Sequence, residues 1–176
     1  METSQPSGWV RFDWPLTGRS FTVDTPPGYH LRPAQPQDRE AMLRVVARAY
    51  ASDPVWSGMT DDINRRVGGR IRASLGHPHV HFVVCECAGQ LVGLNGVALT
   101  YDTGQNLITG ICVEPAHQGR GVGTALLGRT LEWLRDEGLS HATVTTDGQS
   151  NAARIYARFG SVRTDNVHPG DAPKRS

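Results

Sequence analysis

The chain has 176 residues and a formal net charge of +1, enough for one domain with a sizeable core. Its near-neutral balance, with a pI near 7.8, gives no electrostatic footprint for nucleic acid or an anionic membrane, and no apolar run approaches the roughly 20 residues that cross a bilayer. The start METSQPSGW lacks the basic and apolar stretches of a signal peptide, and the 3 cysteines make an odd count; a cytoplasmic protein with no disulfide framework is expected.

Residues 1–28 are rich in Pro, Gly and Thr, yet carry WVRFDW and SFTVDT around PLTGR. That pattern predicts an ordered N-terminal arm of two short strands about a turn, ahead of a main domain spanning 29–165. YHLRPA, from Tyr29, reads as a strand. Pro36 then suits the first position of a helix in which Met42, Val45, Val46, Ala49 and Tyr50 share a face, opposite Arg39, Glu40, Arg44 and Arg48. DPVWSGMT is a loop, and Thr60 is placed to cap a second helix carrying Ile63, Val67 and Ile71 on one side. Gly68 and Gly69 weaken that helix by about 0.5 to 1 kcal/mol each relative to alanine.

Val80 to Cys87 and Gln90 to Leu99 are β-like runs joined across Ala88 and Gly89, a hairpin signal, and NLITGICV, residues 106–113, forms a third. These strands feed VEPAHQGRGVGTALL, where Gly119, Gly121 and Gly123 alternate at the mouth of a helix predicted over 121–137. In that helix Val122, Leu126, Leu127, Thr130, Leu131, Trp133 and Leu134 make a broad apolar arc, and Gly138 fits its end. HATVTT reads as a buried strand. Ser150 or Asn151 opens a last helix running to Phe159, SVRTDNV adds a short strand, and residues 166–176 are a polar tail.

A helix N-terminus presents unpaired N–H groups and about half a positive charge, and glycines ahead of it let a bulky phosphate approach the backbone. A nucleotide P-loop needs Lys then Ser or Thr after its last glycine, but Thr124 and Ala125 follow Gly123. The dinucleotide fingerprint needs a third glycine where Thr124 stands, within an early βαβ unit. Neither fits.

What remains, Gln118-x-x-Gly121-x-Gly123 after Val113-x-Pro115, resembles the pyrophosphate-binding motif of the GNAT superfamily of acyl-CoA N-acyltransferases, and SNAARIYARFG resembles that family's following segment. The order of elements from Tyr29 to about Asp165 is similar to the family's. The resemblance implies an α/β (α+β) fold: a mixed, mostly antiparallel central sheet flanked by helices and splayed near the glycine turn. It implies acetyl-CoA as co-substrate, its pyrophosphate held by main-chain amides of Gln118, Gly119, Arg120, Gly121, Val122 and Gly123 with Thr124 at the helix start. The backbone of Ile111, Cys112 and Val113 would pair with the pantetheine arm, Asn151 would lie along the coenzyme, and Tyr156 would reach its sulfur.

Attack of an amine on a thioester needs a proton removed from nitrogen and a thiolate stabilised on leaving, and a phenol of pKa about 10 suits the second task. Tyr156 is the candidate acid. The strand NLITGICV offers no Asp, Glu or His as base, so Glu114 behind it is the first candidate, with Asp53, Asp61 and Asp62 as further carboxylates. Cys112 lies mid-strand, which favours direct transfer over a covalent acyl-enzyme. His77, His79 and His81 alternate with Cys85 and Cys87, but their span along one strand is too long for one ion, and no metal is expected. Arg65, Arg66, Arg70 and Arg72 on the second helix form either a solvated face or an attraction for an acidic substrate or the coenzyme's 3′-phosphate.

The resulting expectation is transfer of acetyl to the primary amine of a small molecule within a ternary complex. Two alternatives stand beside it: a coenzyme-binding sensor without turnover, and acetylation of a protein or peptide amine. The short C-terminus suggests that WVRFDW completes the sheet or packs on a second copy in a homodimer.

Overall fold

In the computed structural model, residues 8–100 and 104–168 are described. The elements in chain order are β1 (Trp9–Pro15), β2 (Tyr29–Pro33), α1 (Arg39–Ala51), α2 (Thr60–Ser74), β3 (Val80–Cys87), β4 (Gln90–Ala98), β5 (Cys112–Val113), α3 (Val122–Asp136), β6 (His141–Asp147), α4 (Asn151–Tyr156) and β7 (Val162–Asp165). They form two antiparallel sheets, ordered β2-β3-β4-β5 and β6-β1-β7.

The sheets meet at one place and part at another. Asn106 N–H donates to Thr143 O at 3.0 Å and its side-chain oxygen accepts from Thr143 N–H at 3.1 Å, while Ala98 N–H donates to Asn106 O at 2.8 Å. Leu107 bridges to Val97. Residues 106–107 therefore stitch β4 to β6. Six residues later, Cys112 and Val113 pair with Leu94 and Gly93 of β4 alone. The sheets diverge between these points, and the gap becomes a cleft.

Helix α3 serves both sheets, which is why its apolar arc is so broad. Leu127, Leu131 and Leu134 pack with Phe12, Trp14 and Val144 of the three-stranded sheet, whereas Val122, Ala125 and Leu126 pack with Leu31, Val83 and Val92 of the four-stranded one. Each such fully buried side chain contributes about 1.5 to 3 kcal/mol. On the opposite face of the larger sheet, Met42, Val45 and Val46 of α1 and Ile63, Val67 and Ile71 of α2 cover Phe82, Val84 and Leu94.

Several boundaries differ from the sequence reading. SFTVDT is not a strand, because β6 and β7 already occupy both edges of β1 and leave nothing to pair with. The segment instead runs over α3, with Phe21 buried edge-on against Phe159 and Gly128 leaving room for the Phe21 carbonyl. WVRFDW completes a sheet of its own chain, as its central strand. NLITGICV is regular only at its end: Thr109 Oγ1 accepts from Gly96 N–H at 2.9 Å, and Gly110 at φ 71° then breaks the strand. Helix α4 stops at Tyr156, whose carbonyl accepts from Ser161 Oγ at 2.7 Å. Thr60 is inside α2, and Met59 holds the N-cap position.

Among the described residues no helix is long and apolar enough to cross a membrane.

Candidate active site

The cleft between the diverging sheets has a volume of about 850 Å³. One end of it is made of backbone. Gly119 at φ 75° and Gly121 at φ 88° adopt the left-handed conformation that glycine reaches without strain. Gly121 is the N-cap of α3 and supplies no side-chain cap, so the first N–H groups of the helix stay open. Gly123 lies close to α4: a Cβ there would meet the tip of the Ile155 side chain. The turn's base is braced by Tyr29 Oη and His117 Nδ1, 2.8 Å apart.

Gln118, Gly119, Gly121, Gly123 and Thr124 line the cleft, as do Ile111, Cys112, Val113, Asn151 and Tyr156. Arg120 and Val122 do not: Arg120 is exposed, and Val122 is buried beneath α3 in the apolar core. Their main-chain positions in the turn remain, but their side chains face elsewhere.

The edge of β5 has a readable polarity. Glu114 N–H donates to Val92 O at 2.8 Å and Cys112 is paired with Leu94, so strand alternation turns the main-chain groups of Ile111 and Val113 toward the cleft. Gln118 Nε2 donates to Val113 O at 3.0 Å, and Ile111 N–H donates to Tyr156 Oη at 3.1 Å. The Ile111 carbonyl and Val113 N–H complete that edge and suit an amide-bearing chain lying along it.

Two tyrosine hydroxyls lie close to Gly110. Tyr50 Oη donates to Thr109 O at 2.7 Å, and Tyr156 Oη lies beside the same glycine. Burial pushes both phenols well above the ordinary tyrosine value, so both hydroxyls stay protonated near neutrality. The Tyr156 oxygen already accepts from Ile111, which leaves the hydroxyl hydrogen free to point into the cleft. Burial also pushes the Cys112 thiol up to about 12, which keeps it protonated and poorly nucleophilic.

The other end is built from side chains of separate segments. Trp9 opens β1, Tyr50 ends α1, and Trp56 lies in the loop between α1 and α2; Trp56 sits 5.8 Å from the Trp9 ring and 6.4 Å from Tyr50. Met59, 47 % exposed, stands at the rim. Asp53 is buried on the same wall, while Asp62 accepts from Arg65 and Arg66, which hold its carboxyl below the usual range.

The structure does not bring Glu114 to this cleft. Its carboxylate is largely buried and faces α1, with Arg48 Nη1 at 3.5 Å. Asp61 is exposed on α2 and also lies off the cleft wall. His81 stacks on Trp133 at 4.8 Å, and among the described residues no group of three or more His, Cys, Asp or Glu is placed to share an ion.

The acetyltransferase (GNAT) family model matches residues 44–161, from α1 through the glycine turn to the end of the α4 segment. The chain belongs to that family. It is 35 % identical to N-alpha-acetyltransferase RimI of Mycobacterium tuberculosis over 72 % of this chain and 73 % of that protein. It is 32 % identical to a mycothiol acetyltransferase of Sanguibacter keddieii over 90 % of this chain and 54 % of that protein. The chain spans about half the length of the mycothiol acetyltransferases it matches. A GCN5-related N-acetyltransferase from Kribbella flavida shares the GNAT fold with a TM-score of 0.60 at 19 % identity, over 94 % of this chain and 59 % of that one.

Within this GNAT domain, sequence reasoning missed Trp9, Tyr50 and Trp56 as cleft residues. Tyr50 read as one more apolar position of α1, and only its hydroxyl hinted at a polar neighbour. Trp56 carried a clearer sign: a tryptophan in a loop has no periodic face to bury it and must find a partner across the fold.

Proposed function

We propose that the protein is an acetyl-CoA-dependent N-acetyltransferase whose acceptor is a primary amine on a small molecule. The observation that carries the donor half is the open N-terminus of α3 behind two left-handed glycines, a fit for the coenzyme's pyrophosphate. The main-chain edge of Ile111 and Val113 suits the pantetheine amides. Acetyl-CoA supplies the activated thioester; the chain's residues hold it, exclude water and manage protons.

Tyr156 is the residue at the reacting end. The amine nitrogen forms its bond to the acetyl carbon, the carbon–sulfur bond breaks, and the Tyr156 hydroxyl donates its proton to the departing thiolate. The proton lost from nitrogen passes through water to restore the phenol. With Cys112 held protonated, transfer is direct within a ternary complex.

The small-molecule reading rests on the acceptor end. At that end Trp56 packs against Trp9 and the loop of Asp53 is tied to α4, a side-chain surface drawn from separate segments that suits a compact acceptor. The mycothiol acetyltransferase relatives point the same way, whereas the RimI relative supports a second reading, acetylation of a protein N-terminal amine. Thiol release measured across small amines and short peptides separates the two. Faster turnover of small amines is expected, with Tyr156→Phe lowering kcat by about 100-fold or more; a peptide-only activity would reassign the acceptor, and an unaffected Tyr156→Phe would remove the acid.

A further inference from the structure

Asp53 is 6 % exposed, yet no Lys, Arg or His forms an ion pair with it among the described residues. A buried carboxylate in that position is costly unless hydrogen bonds compensate it. Here both oxygens are used, and by donors far apart in sequence. Oδ1 accepts from Val55 N–H at 2.9 Å, folding the start of the α1–α2 loop on itself. Oδ2 accepts from Asn151 N–H at 2.9 Å, 98 positions away, at the first residue of α4. The two N–H groups satisfy both carboxylate oxygens.

The receiving helix is only 6 residues long, too short to hold itself in register. Its first turn is fixed by Ser150 Oγ, which accepts from Ala153 N–H at 3.3 Å, and by Asp53. Its far end carries Tyr156. The loop that owns Asp53 also owns Trp56, whose ring rests 5.8 Å from Trp9.

We propose that Asp53 is a positioning residue that couples the acceptor loop to the helix bearing Tyr156. Seating of residues 52–59 and placement of the phenol are then one event. A neutral amide in its place would offer one acceptor and turn an N–H₂ group toward the second donor, so the carboxylate is the side chain that satisfies both segments. With both oxygens committed to main-chain donors, it acts by geometry and not as the base.

This inference rests on Tyr156 as the proton donor, and the test keeps the two apart. The Asp53→Ala, Asp53→Asn and Tyr156→Phe variants and the Asp53→Ala/Tyr156→Phe double variant are compared in kcat, in acetyl-CoA affinity by titration, and in backbone hydrogen exchange. Asp53→Ala is expected to lower kcat by about 10- to 100-fold, as a displacement near 1 Å does, with acetyl-CoA affinity within about 3-fold and the pH profile of kcat/KM unshifted. Asp53→Asn recovers part of the loss. In the Tyr156→Phe background the same substitution costs less than about 3-fold, because its effect runs through the phenol. Hydrogen exchange in 52–59 and in 151–156 rises together in Asp53→Ala, an outcome that holds even if Tyr156→Phe leaves turnover untouched. Loss of the acidic limb of the pH profile would make Asp53 the base and overturn the proposal. Exchange that rises in the loop alone, full additivity in the double variant, or an Asp53→Ala protein that fails to fold while Asp53→Asn matches the parent in every readout would also overturn it.

Discussion

The two ends of the cleft are made of different material. At the glycine-turn end the groups available are N–H and C=O of Ile111, Val113 and residues 118–124, set by two left-handed glycines and a helix start. At the other end they are the side chains of Trp9, Tyr50, Asp53 and Trp56, drawn from a strand, a helix end and a loop. A backbone site tolerates exchange of most of its side chains and recognises a group common to many reactions. A side-chain site changes with each residue and sets which molecule reacts. One fold can therefore keep its donor and vary its acceptor.

The largest test of this division concerns what holds the two ends apart. Trp14 is fully buried in the central strand of the smaller sheet, its indole N–H donating to Arg158 O at 3.0 Å, and its ring meets Tyr156 edge-on at 5.9 Å. Trp14→Ala is expected to cost about 3 to 5 kcal/mol of stability, read from urea unfolding. A loss below 1 kcal/mol would mean that β1 is not the spine of that sheet.

A substitution inside the backbone site comes next. Gly123→Val drives a side chain into the space of the Ile155 tip at the cradle; acetyl-CoA affinity should fall by at least about 10-fold, roughly 1.4 kcal/mol. Undiminished affinity by calorimetric titration would break the claim that main chain makes the donor end.

At the other end, Trp56→Ala should raise the acceptor KM by about 10-fold while acetyl-CoA affinity stays within about 2-fold, since the loop makes no part of the cradle. Equal effects on both ligands would erase the distinction. Arg120→Ala should do least, a change below about 5-fold in acetyl-CoA affinity, because an exposed cation outside the cleft contributes at most about 1 kcal/mol. A large loss would return that side chain to the phosphate site.

The same contrast explains what the sequence made legible. Glycines at alternate positions before an amphipathic helix have a local physical meaning, so residues 113–127 alone pointed to one wall of the cleft. The helices α1, α2 and α3 followed their apolar periodicity in the same way. The other end depends on which segments the fold brings together, and nothing local says that Trp9 meets Trp56 or that Asp53 reaches Asn151. The misread strands have separate causes: SFTVDT has strand composition but β1 offers it no free edge, and NLITGICV is broken by the left-handed Gly110. Glu114 shows the limit of proximity in sequence, since one residue beyond a cleft strand its side chain turns to Arg48 on the other face.

On the function proposed above, the cleft holds acetyl-CoA by main chain and passes its acetyl group to a primary amine beside Trp9 and Trp56. Continuous measurement of thiol release from acetyl-CoA, with and without each member of a panel of small primary amines, tests it most directly. The account predicts release that depends on the amine, saturates with it, and yields one N-acetylated product per thiol. Tight acetyl-CoA binding with no amine-dependent release across the panel and the peptides would contradict it and leave a coenzyme sensor in its place.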